Sequence, residues 1–233
     1  MGCCMATNKG GKLVTKSKQT RRPQARTEKA RSSMISVATS MFAEKGYHAT
    51  SIRDIEIKAG VKRGMLIYHF GSKKDFWKRV VDSIWSIIQS KREEHISILN
   101  NLSSQAGVEW LITFHVRFAA EYPIMTRMIS QEGAQDSWRI EYIVSAFMKP
   151  GVDAMKPFIS DALKLNDDDF AHWYYILISA SSTIFAREHE FKHLFGFASR
   201  KESVIEAHSK MLVAMLTHNL LKIENEDIFI ETC

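Results

Sequence analysis

The sequence predicts an all-α protein, and three observations carry this prediction. Apolar residues recur at intervals of three and four along most of the 233-residue chain, which is the period of an amphipathic helix. No stretch alternates apolar and polar residues over a length that would favour a half-buried strand. Capping residues and glycines fall at the ends of the periodic stretches, where helices start and stop.

The composition is that of an ordinary soluble protein, with 45% hydrophobic and 25% charged residues. The cysteines stand at the chain ends, at Cys3, Cys4 and Cys233, so they predict a reducing compartment and no disulfide scaffold. The sequence has neither an apolar run of about 18 residues nor a signal-peptide pattern. We therefore expect a cytoplasmic protein that does not span a membrane, and no motif indicates a cofactor.

Charge is unevenly distributed, although the net charge is only +6. Basic residues outnumber acidic ones up to about residue 80, and acidic residues dominate beyond it. A basic head on an acidic body is typical of a nucleic-acid-binding domain joined to a ligand-binding or interaction domain. Residues 1–25 are expected to form a disordered basic arm, which either adds salt-sensitive phosphate affinity or is simply a solvated tail.

The first predicted helix runs from Thr27 to Lys45, with its apolar residues on one face, and Gly46 ends it. Two short helices follow between Thr50 and Trp77, separated by a tight turn. Ser51 can cap the first of them, and Gly60 can adopt the left-handed conformation that ends it.

The second short helix is predicted over 62–70, with Leu66 and Phe70 facing inward. Its outer face is basic and aromatic, which suits the major groove of DNA. The outward residues are Lys62, Arg63, Met65, Tyr68 and His69. The pattern predicts a helix-turn-helix.

These residues carry a family resemblance. The runs GYHATSIRDI from Gly46, AGV from Ala59 and FGSKKD from Phe70, with Gly64 and Leu66 between them, resemble the DNA-binding domain of tetracycline-repressor-type (TetR/AcrR) regulators. The resemblance covers about 55 residues, from the helix near Thr27 to Lys78. Two positions depart from the family pattern. Glu56 stands where alanine is usual, and Ile67 stands where the family has a phosphate-contacting tyrosine.

The resemblance implies a set of DNA-contacting residues. Arg53 and Arg63 are the candidates for base contacts, and Thr50, Tyr68 and Lys73 are the candidates for phosphate contacts. The full set is Thr50, Ser51, Arg53, Lys62, Arg63, Gly64, Met65, Tyr68, His69 and Lys73.

A long helix is predicted from Lys73 towards Asn100, with Ser72 as its cap and with Phe76, Val80, Ile84, Ile87 and Ile88 facing inward. It links the head to a body of further helices. Their predicted spans are 104–120, 123–131, 136–149, 152–164, 168–187 and 201–223.

The last predicted helix has two apolar stripes, one through Ile205 and Leu212 and the other through Met211 and Met215. A helix that is apolar on two sides is buried on two sides, either as the central helix of one chain or at a subunit interface. The resemblance favours a homodimer that pairs this helix and the preceding one with their two-fold mates. The implied interface residues are Tyr175, Ser179, Ala207, Met211, Ala214, Met215 and His218.

Aromatic residues are dense in the body, where the family holds a small-molecule pocket. Aromatics at helical spacing also build ordinary cores, so the cluster predicts a pocket better than any single member does. Arg117 and His115 would leave room for an anionic group. The candidate pocket residues are Trp110, Phe114, His115, Arg117, Phe118, Trp138, Tyr142 and Trp173.

One motif favours an enzyme instead. His189, Glu190 and His193 form a literal H-E-x-x-H, which can hold a catalytic zinc ion when a third protein ligand is present. The position of a third histidine in the longer pattern is occupied by Ser199, which leaves a distant glutamate such as Glu202 or Glu206.

We therefore expect an N-terminal three-helix helix-turn-helix domain joined by a long helix to a helical ligand-binding and dimerisation domain. The expected segments are 1–25 for the arm, 26–78 for the helix-turn-helix domain, 79–225 for the body and 226–233 for a tail. The implied function is a homodimeric repressor that a small-molecule effector releases from a pseudo-palindromic operator in double-stranded DNA. A zinc hydrolase and an interaction protein with a degenerate helix-turn-helix are the alternatives.

Overall fold

The structure is a computed structural model that describes residues 21–93 and 102–217. The all-α prediction is confirmed, because every regular element in these two ranges is helical. The predicted tail, His218 and most of the basic arm lie outside the described residues. The helices are α1 Arg21–Ala49, α2 Ile52–Lys58, α3 Met65–Phe70, α4 Lys73–Glu93, α5 Ser104–Glu121, α6 Pro123–Gly133, α7 Trp138–Ile143, α8 Lys149–Leu163, α9 Asp167–Ala186, α10 Glu188–Phe195 and α11 Glu202–Thr217.

Several boundaries differ from the predictions. Helix α1 continues beyond Gly46, whose positive φ of 76° kinks it. The stretch predicted as one helix over 136–149 consists of α7 and a π-helical turn, Val144–Met148, which leads directly into α8. Pro150 does not interrupt this path, because it lies in the first turn of α8, where its missing N–H is not needed. Helix α10 was not predicted as a separate element.

The head consists of α1–α4 packed around a core that includes Phe42, Ile55, Leu66 and Trp77. This core does not stop at the head. It continues through Met128 and other side chains of α6 and α7, so the two parts of the chain share buried apolar surface. Ile87, which was predicted to face inward, is exposed.

A second core lies in the body around α5, which packs against α8, α9 and α11. Ile112, Ile159, Leu177 and Phe185 are fully buried there. Asn166 caps α9, since its side-chain oxygen accepts a hydrogen bond from the Asp169 N–H at 2.9 Å. None of the described helices combines the length and the apolar character that crossing a membrane requires.

The two apolar stripes of α11 have different surroundings. Ile205, Leu212 and Leu216 of the first stripe are buried against the body. Met211 and Met215 of the second stripe are 62% and 53% exposed. The interpretation of α11 as the central helix of a single chain is therefore wrong.

Candidate nucleic-acid interface and ligand cavity

The turn between α2 and α3 has the local structure that its residues predict. The Ser51 Oγ accepts a hydrogen bond from the Asp54 N–H at 3.0 Å and so caps α2. Gly60 adopts a φ of 67°, which lets the Val61 N–H reach back to the Glu56 carbonyl at 3.1 Å. This left-handed residue ends α2 and turns the chain towards α3.

The start of α3 holds a feature that the sequence did not predict. The helix begins at Met65, later than predicted, and its N-cap is Gly64, which has a φ of 86° and no side chain to offer. The missing cap is supplied by Glu56 of α2, whose side chain is almost fully buried. Its Oε1 accepts a hydrogen bond from the Leu66 N–H at 2.9 Å. A carboxylate in this position satisfies a free amide and faces the positive end of the helix dipole.

Most of the predicted DNA-contacting residues are exposed on or next to α2 and α3, and these exposed residues are referred to below as the α3 surface. Tyr68 is 80% exposed, and Met65, His69 and Lys73 are partly buried. Ile67 lies beside Tyr68 on this surface and is also exposed. The exposed members of the predicted set are Ser51, Arg53, Lys62, Arg63, Gly64 and Tyr68.

Thr50 does not belong to this surface. Its side chain is 0% exposed, and its hydroxyl lies 2.8 Å from the Gly46 carbonyl and 3.2 Å from the Met41 carbonyl. The prediction that Thr50 holds a phosphate is wrong, because its hydroxyl is used to close the end of α1.

Lys73 stands at the edge of the surface, at the start of α4. Its ammonium lies 4.4 Å from the centre of the Tyr47 ring, and burial together with the nearby Arg139 lowers the pKa of Lys73. Ser72 caps the same helix as predicted, since its Oγ accepts a hydrogen bond from the Asp75 N–H at 3.0 Å. In return, the Asp75 carboxylate accepts hydrogen bonds from the Ser72 hydroxyl and from the Ser72 N–H. These two bonds to the carboxylate lower the pKa of Asp75.

A buried ion pair of the body lies against the head. The Arg139 Nε of α7 lies 2.5 Å from the Glu132 Oε2 of α6, and both side chains are only 5% exposed. The Arg139 guanidinium also lies 5.0 Å from the centre of the Tyr47 ring and 3.5 Å from the His48 Nε2, at the end of α1. One side chain of the body thus contacts both the last turn of α1 and the end of α6.

Trp138 and Tyr142 belong to this joint and do not line the body cavity described below, so the structure does not support their predicted place in a ligand pocket there. The Trp138 ring packs edge-on against Trp77 of α4, with the ring centres 5.2 Å apart. The Tyr142 hydroxyl donates a hydrogen bond to the Asp82 Oδ1 at 2.6 Å. Burial and this bond to a carboxylate raise the pKa of Tyr142 to about 12.

A cavity of about 820 Å³ lies in the body, between α4, α5, α6, α8 and α9. Its walls are mostly apolar, and its volume is in the range of small-molecule sites. Four of the predicted pocket residues line it: Trp110, Phe114, His115 and Phe118.

Two further predicted pocket residues lie elsewhere. Arg117 points away from the cavity and pairs with Glu202 of α11 at 2.7 Å. Trp173 is buried in the body core, where its Nε1–H donates a hydrogen bond to the Leu216 carbonyl at 3.1 Å. Both predictions are wrong for the same reason. Each residue lies on a helix that also lines the cavity, but on a face of that helix that meets another part of the body.

The cavity touches the head through α6. Six residues of this helix line the cavity, and Gln131 is among them. The Gln131 amide also donates a hydrogen bond to the Ala43 carbonyl of α1 at 3.1 Å. A displacement of α6 by a ligand in the cavity would therefore act directly on α1 of the head, through this hydrogen bond.

Comparison with known proteins agrees with the geometry of the head. Residues 34–80 match the model of the family described as bacterial regulatory proteins, tetR family. Residues 34–80 thus resemble the DNA-binding domain of this family.

Curated relatives match a part of this chain. The HTH-type transcriptional repressor KstR2 of Rhodococcus jostii RHA1 is 32% identical over 83 residues, which is 36% of this chain and 40% of KstR2. The regulator of the biofilm operon icaADBC, IcaR of Staphylococcus aureus Newman, is 29% identical over 85 residues, which is 36% of this chain and 43% of IcaR. The chain thus spans about two fifths of the length of these relatives.

Similarity to a solved structure extends over the body. The transcriptional regulator FadR of Bacillus subtilis, solved in complex with stearoyl-CoA, superposes with a TM-score of 0.60. The superposition covers 81% of this chain and 98% of FadR at 15% sequence identity. At this identity the likeness shows a common fold.

Several residues that line the cavity were not predicted. They line the cavity together with the predicted aromatic residues. In the sequence they are ordinary apolar residues of a helix, or polar residues next to such positions, and nothing marks them as cavity residues. The aromatic and aliphatic members are Trp85, Met125, Phe147, Met155, Phe158 and Tyr174, and the polar members include Thr126, Arg127, Ser130, Ser181, Ser182 and Thr183. Ser179, predicted at a dimer interface, also borders the cavity.

The H-E-x-x-H motif occupies α10, with His189, Glu190 and His193 exposed. The Glu190 carboxylate forms an ion pair with Arg187. Among residues 21–93 and 102–217, no group of three His, Cys, Asp or Glu side chains is arranged to hold a metal ion. The described part of the chain thus offers no third ligand for the zinc alternative, which the kinship to transcriptional regulators does not favour either.

Proposed function

We propose that this protein is a sequence-specific transcriptional regulator, acting as a homodimeric repressor that a small molecule in the body cavity releases from its operator. The observation that carries the proposal is the contact of Gln131, which lines the cavity, with Ala43 of α1, in the head that also bears the basic α3 surface. The names of KstR2 and IcaR, a repressor and a negative regulator, support the direction of control.

The exposed surface around α3 is the proposed DNA interface. Arg63 and Lys62 lie just before α3 and Arg53 lies on α2, so their charges flank the helix that would enter the major groove. An arginine can donate two hydrogen bonds to a guanine edge. Tyr68 projects from the middle of α3, where its hydroxyl can donate to a phosphate. Ser51, Gly64, Met65, His69 and Lys73 complete the proposed interface.

The first prediction concerns Arg63→Ala. It is expected to lower the affinity for operator DNA by about 5- to 150-fold, corresponding to about 1–3 kcal/mol, and to relax the sequence preference at one base pair. The measurement is fluorescence anisotropy with DNA from upstream of the protein's own gene and with scrambled DNA, at two salt concentrations. Arg117→Ala, on the far side of the body, is the matched control. Unchanged affinity and preference in Arg63→Ala would exclude the assignment.

The same experiment separates the alternatives. An interaction protein with a degenerate helix-turn-helix would bind the upstream and the scrambled DNA alike, and weakly. A zinc hydrolase would contain stoichiometric zinc when purified without chelator, which metal analysis measures directly. The proposed regulator acts through binding and requires no catalysis.

The exposed stripe on α11 is the proposed dimer interface. Met211 and Met215 lie on it with Ala207 and Ala214, and Tyr175 is exposed on the adjacent helix α9. Large exposed apolar side chains that cluster on one face are typical of protein–protein contacts. A two-fold dimer would also present two α3 helices to a pseudo-palindromic site.

The second prediction concerns Met211→Asp. A charge in the middle of the stripe is expected to convert the dimer into a monomer, because the carboxylate would be desolvated at the interface. The measurement is light scattering after size-exclusion chromatography over a range of protein concentrations. Lys210→Asp adds the same side chain one residue away, and it should leave the dimer intact. If Met211→Asp stays dimeric, or if the wild type is a monomer, this interface is wrong.

Ligand release would act through α6. Because α6 both lines the cavity and contacts α1, a ligand that shifts α6 changes the position of the head. The Arg139–Glu132 pair would transmit the same shift to His48. A differential affinity of about 1–3 kcal/mol between the two arrangements is the usual scale of such coupling.

A further inference from the structure

The charged side chains that line the cavity are all positive among the described residues. Arg127 of α6 and Arg187 at the end of α9 line it, and none of its described lining residues is Asp or Glu. A cavity with this lining carries positive charge inside mostly apolar walls.

The two arginines differ in how their charge is used. Arg187 forms an ion pair with Glu190, and its side chain is largely exposed. The Arg127 Nε is buried from solvent and has no hydrogen-bond partner among the described residues. His115 is also part of the wall, but its Nδ1 lies 2.9 Å from the Leu111 carbonyl, within its own helix. Arg127 is therefore the group with hydrogen-bonding capacity left for a ligand.

A buried N–H of a guanidinium beside apolar walls is unfavourable, because burial removes water from the Arg127 Nε and no described residue replaces it. The guanidinium is planar and always charged, and its paired N–H groups match the two oxygens of a carboxylate. A ligand with this group would satisfy the buried Nε and neutralise the charge.

We propose that the effector is an apolar organic monocarboxylate whose carboxylate pairs with Arg127. This inference rests on the proposed function, because it assigns the ligand class of the same cavity. The apolar body of the ligand would lie against the aromatic wall formed by Trp85, Trp110, Phe114 and Phe158. A single carboxylate matches the one lining guanidinium that has no ion-pair partner among the described residues. A polyphosphate would need further cations, and Arg187 is already paired with Glu190.

The test compares three probes of equal chain length: dodecanoate, methyl dodecanoate and dodecanol. Trp85 and Trp110 line the cavity, so tryptophan fluorescence can follow each titration. The wild type is expected to bind dodecanoate about 10- to 100-fold more tightly than the ester or the alcohol, the range expected for charge-assisted hydrogen bonds. Equal affinity for the acid and the ester would overturn the inference.

Arg127→Gln is expected to remove this preference while keeping the affinity for the ester and the alcohol. Arg127→Lys should retain part of it, because the charge remains and the paired N–H geometry is lost. Arg117→Gln removes an arginine outside the cavity, and the preference should survive in it. If Arg127→Gln weakens all three probes equally, or if Arg117→Gln loses the preference, the inference is wrong.

Two further measurements separate this inference from its premise. The melting temperature of ligand-free Arg127→Gln is expected to be unchanged or higher, because the lost charge has no partner; a clear decrease would indicate a structural role and contradict the inference. Operator binding is measured on the same samples. A wild type that prefers dodecanoate but binds no specific DNA would contradict the proposed function and support the ligand class.

Discussion

Glu132→Ala is expected to lower the free energy of unfolding by about 3–5 kcal/mol, the range for removing one partner of a buried ion pair. The loss of stability comes from the arginine that the substitution leaves unpaired. Arg139 would stay buried at the joint between α1, α6 and α7 without its carboxylate, and its contacts with the Tyr47 ring and with His48 do not neutralise its charge. The joint should therefore loosen as well as lose stability.

Urea unfolding followed by circular dichroism measures the effect. Glu141→Ala, an exposed acid on α7, is the matched control and should change stability by less than about 0.5 kcal/mol. The double variant Glu132→Leu with Arg139→Met should recover most of the loss, because it leaves no buried charge unpaired. A loss below about 1 kcal/mol in Glu132→Ala would mean that the pair does not hold the joint together.

Glu56→Ala is expected to destabilise the head by about 1–3 kcal/mol and to weaken DNA binding with it. The substitution leaves the buried Leu66 N–H without its acceptor, and an unsatisfied buried amide has a cost of this size. The Gly64 N-cap supplies no side-chain hydrogen bond, so no other described side chain replaces Glu56 as the cap of α3. The first turn of α3 should fray in the variant.

Hydrogen exchange at the Leu66 amide reports this directly. Protection should fall strongly in Glu56→Ala and much less in Glu56→Gln, whose side-chain carbonyl can still accept the bond. Glu44→Ala, an exposed acid on α1, should change neither exchange nor DNA affinity. Equal protection in Glu56→Ala and the wild type would show that the carboxylate does not cap α3.

The helix-turn-helix was largely predictable because its determinants are local. Ser51 caps a helix that starts at the next residue, and Gly60 ends the same helix a few residues later. Glu56 was not predictable in this way. Its partner is ten residues along the chain and in another helix, and a comparison with the usual alanine marks the position only as a departure. The structure shows this departure to be a cap that stabilises α3.

The body was less predictable, because helical periodicity identifies a buried face without saying what covers it. Trp110 and Trp173 have similar sequence surroundings, yet one lines the cavity and the other packs in the core. The same limit applies to charge. Arg117 and Arg127 both follow apolar stretches, and only the packing of α5 against α6 and α11 decides which of them faces the cavity.

The contact between Gln131 and Ala43 has a thermodynamic consequence if the cavity and the DNA interface are coupled through it. Linkage is reciprocal, so an effector that weakens operator binding by some factor is itself bound more weakly, by the same factor, when the operator is occupied. DNA would then act as a competitor of the effector without touching its site. An effector affinity measured on the free protein would overstate the sensitivity of the repressed gene.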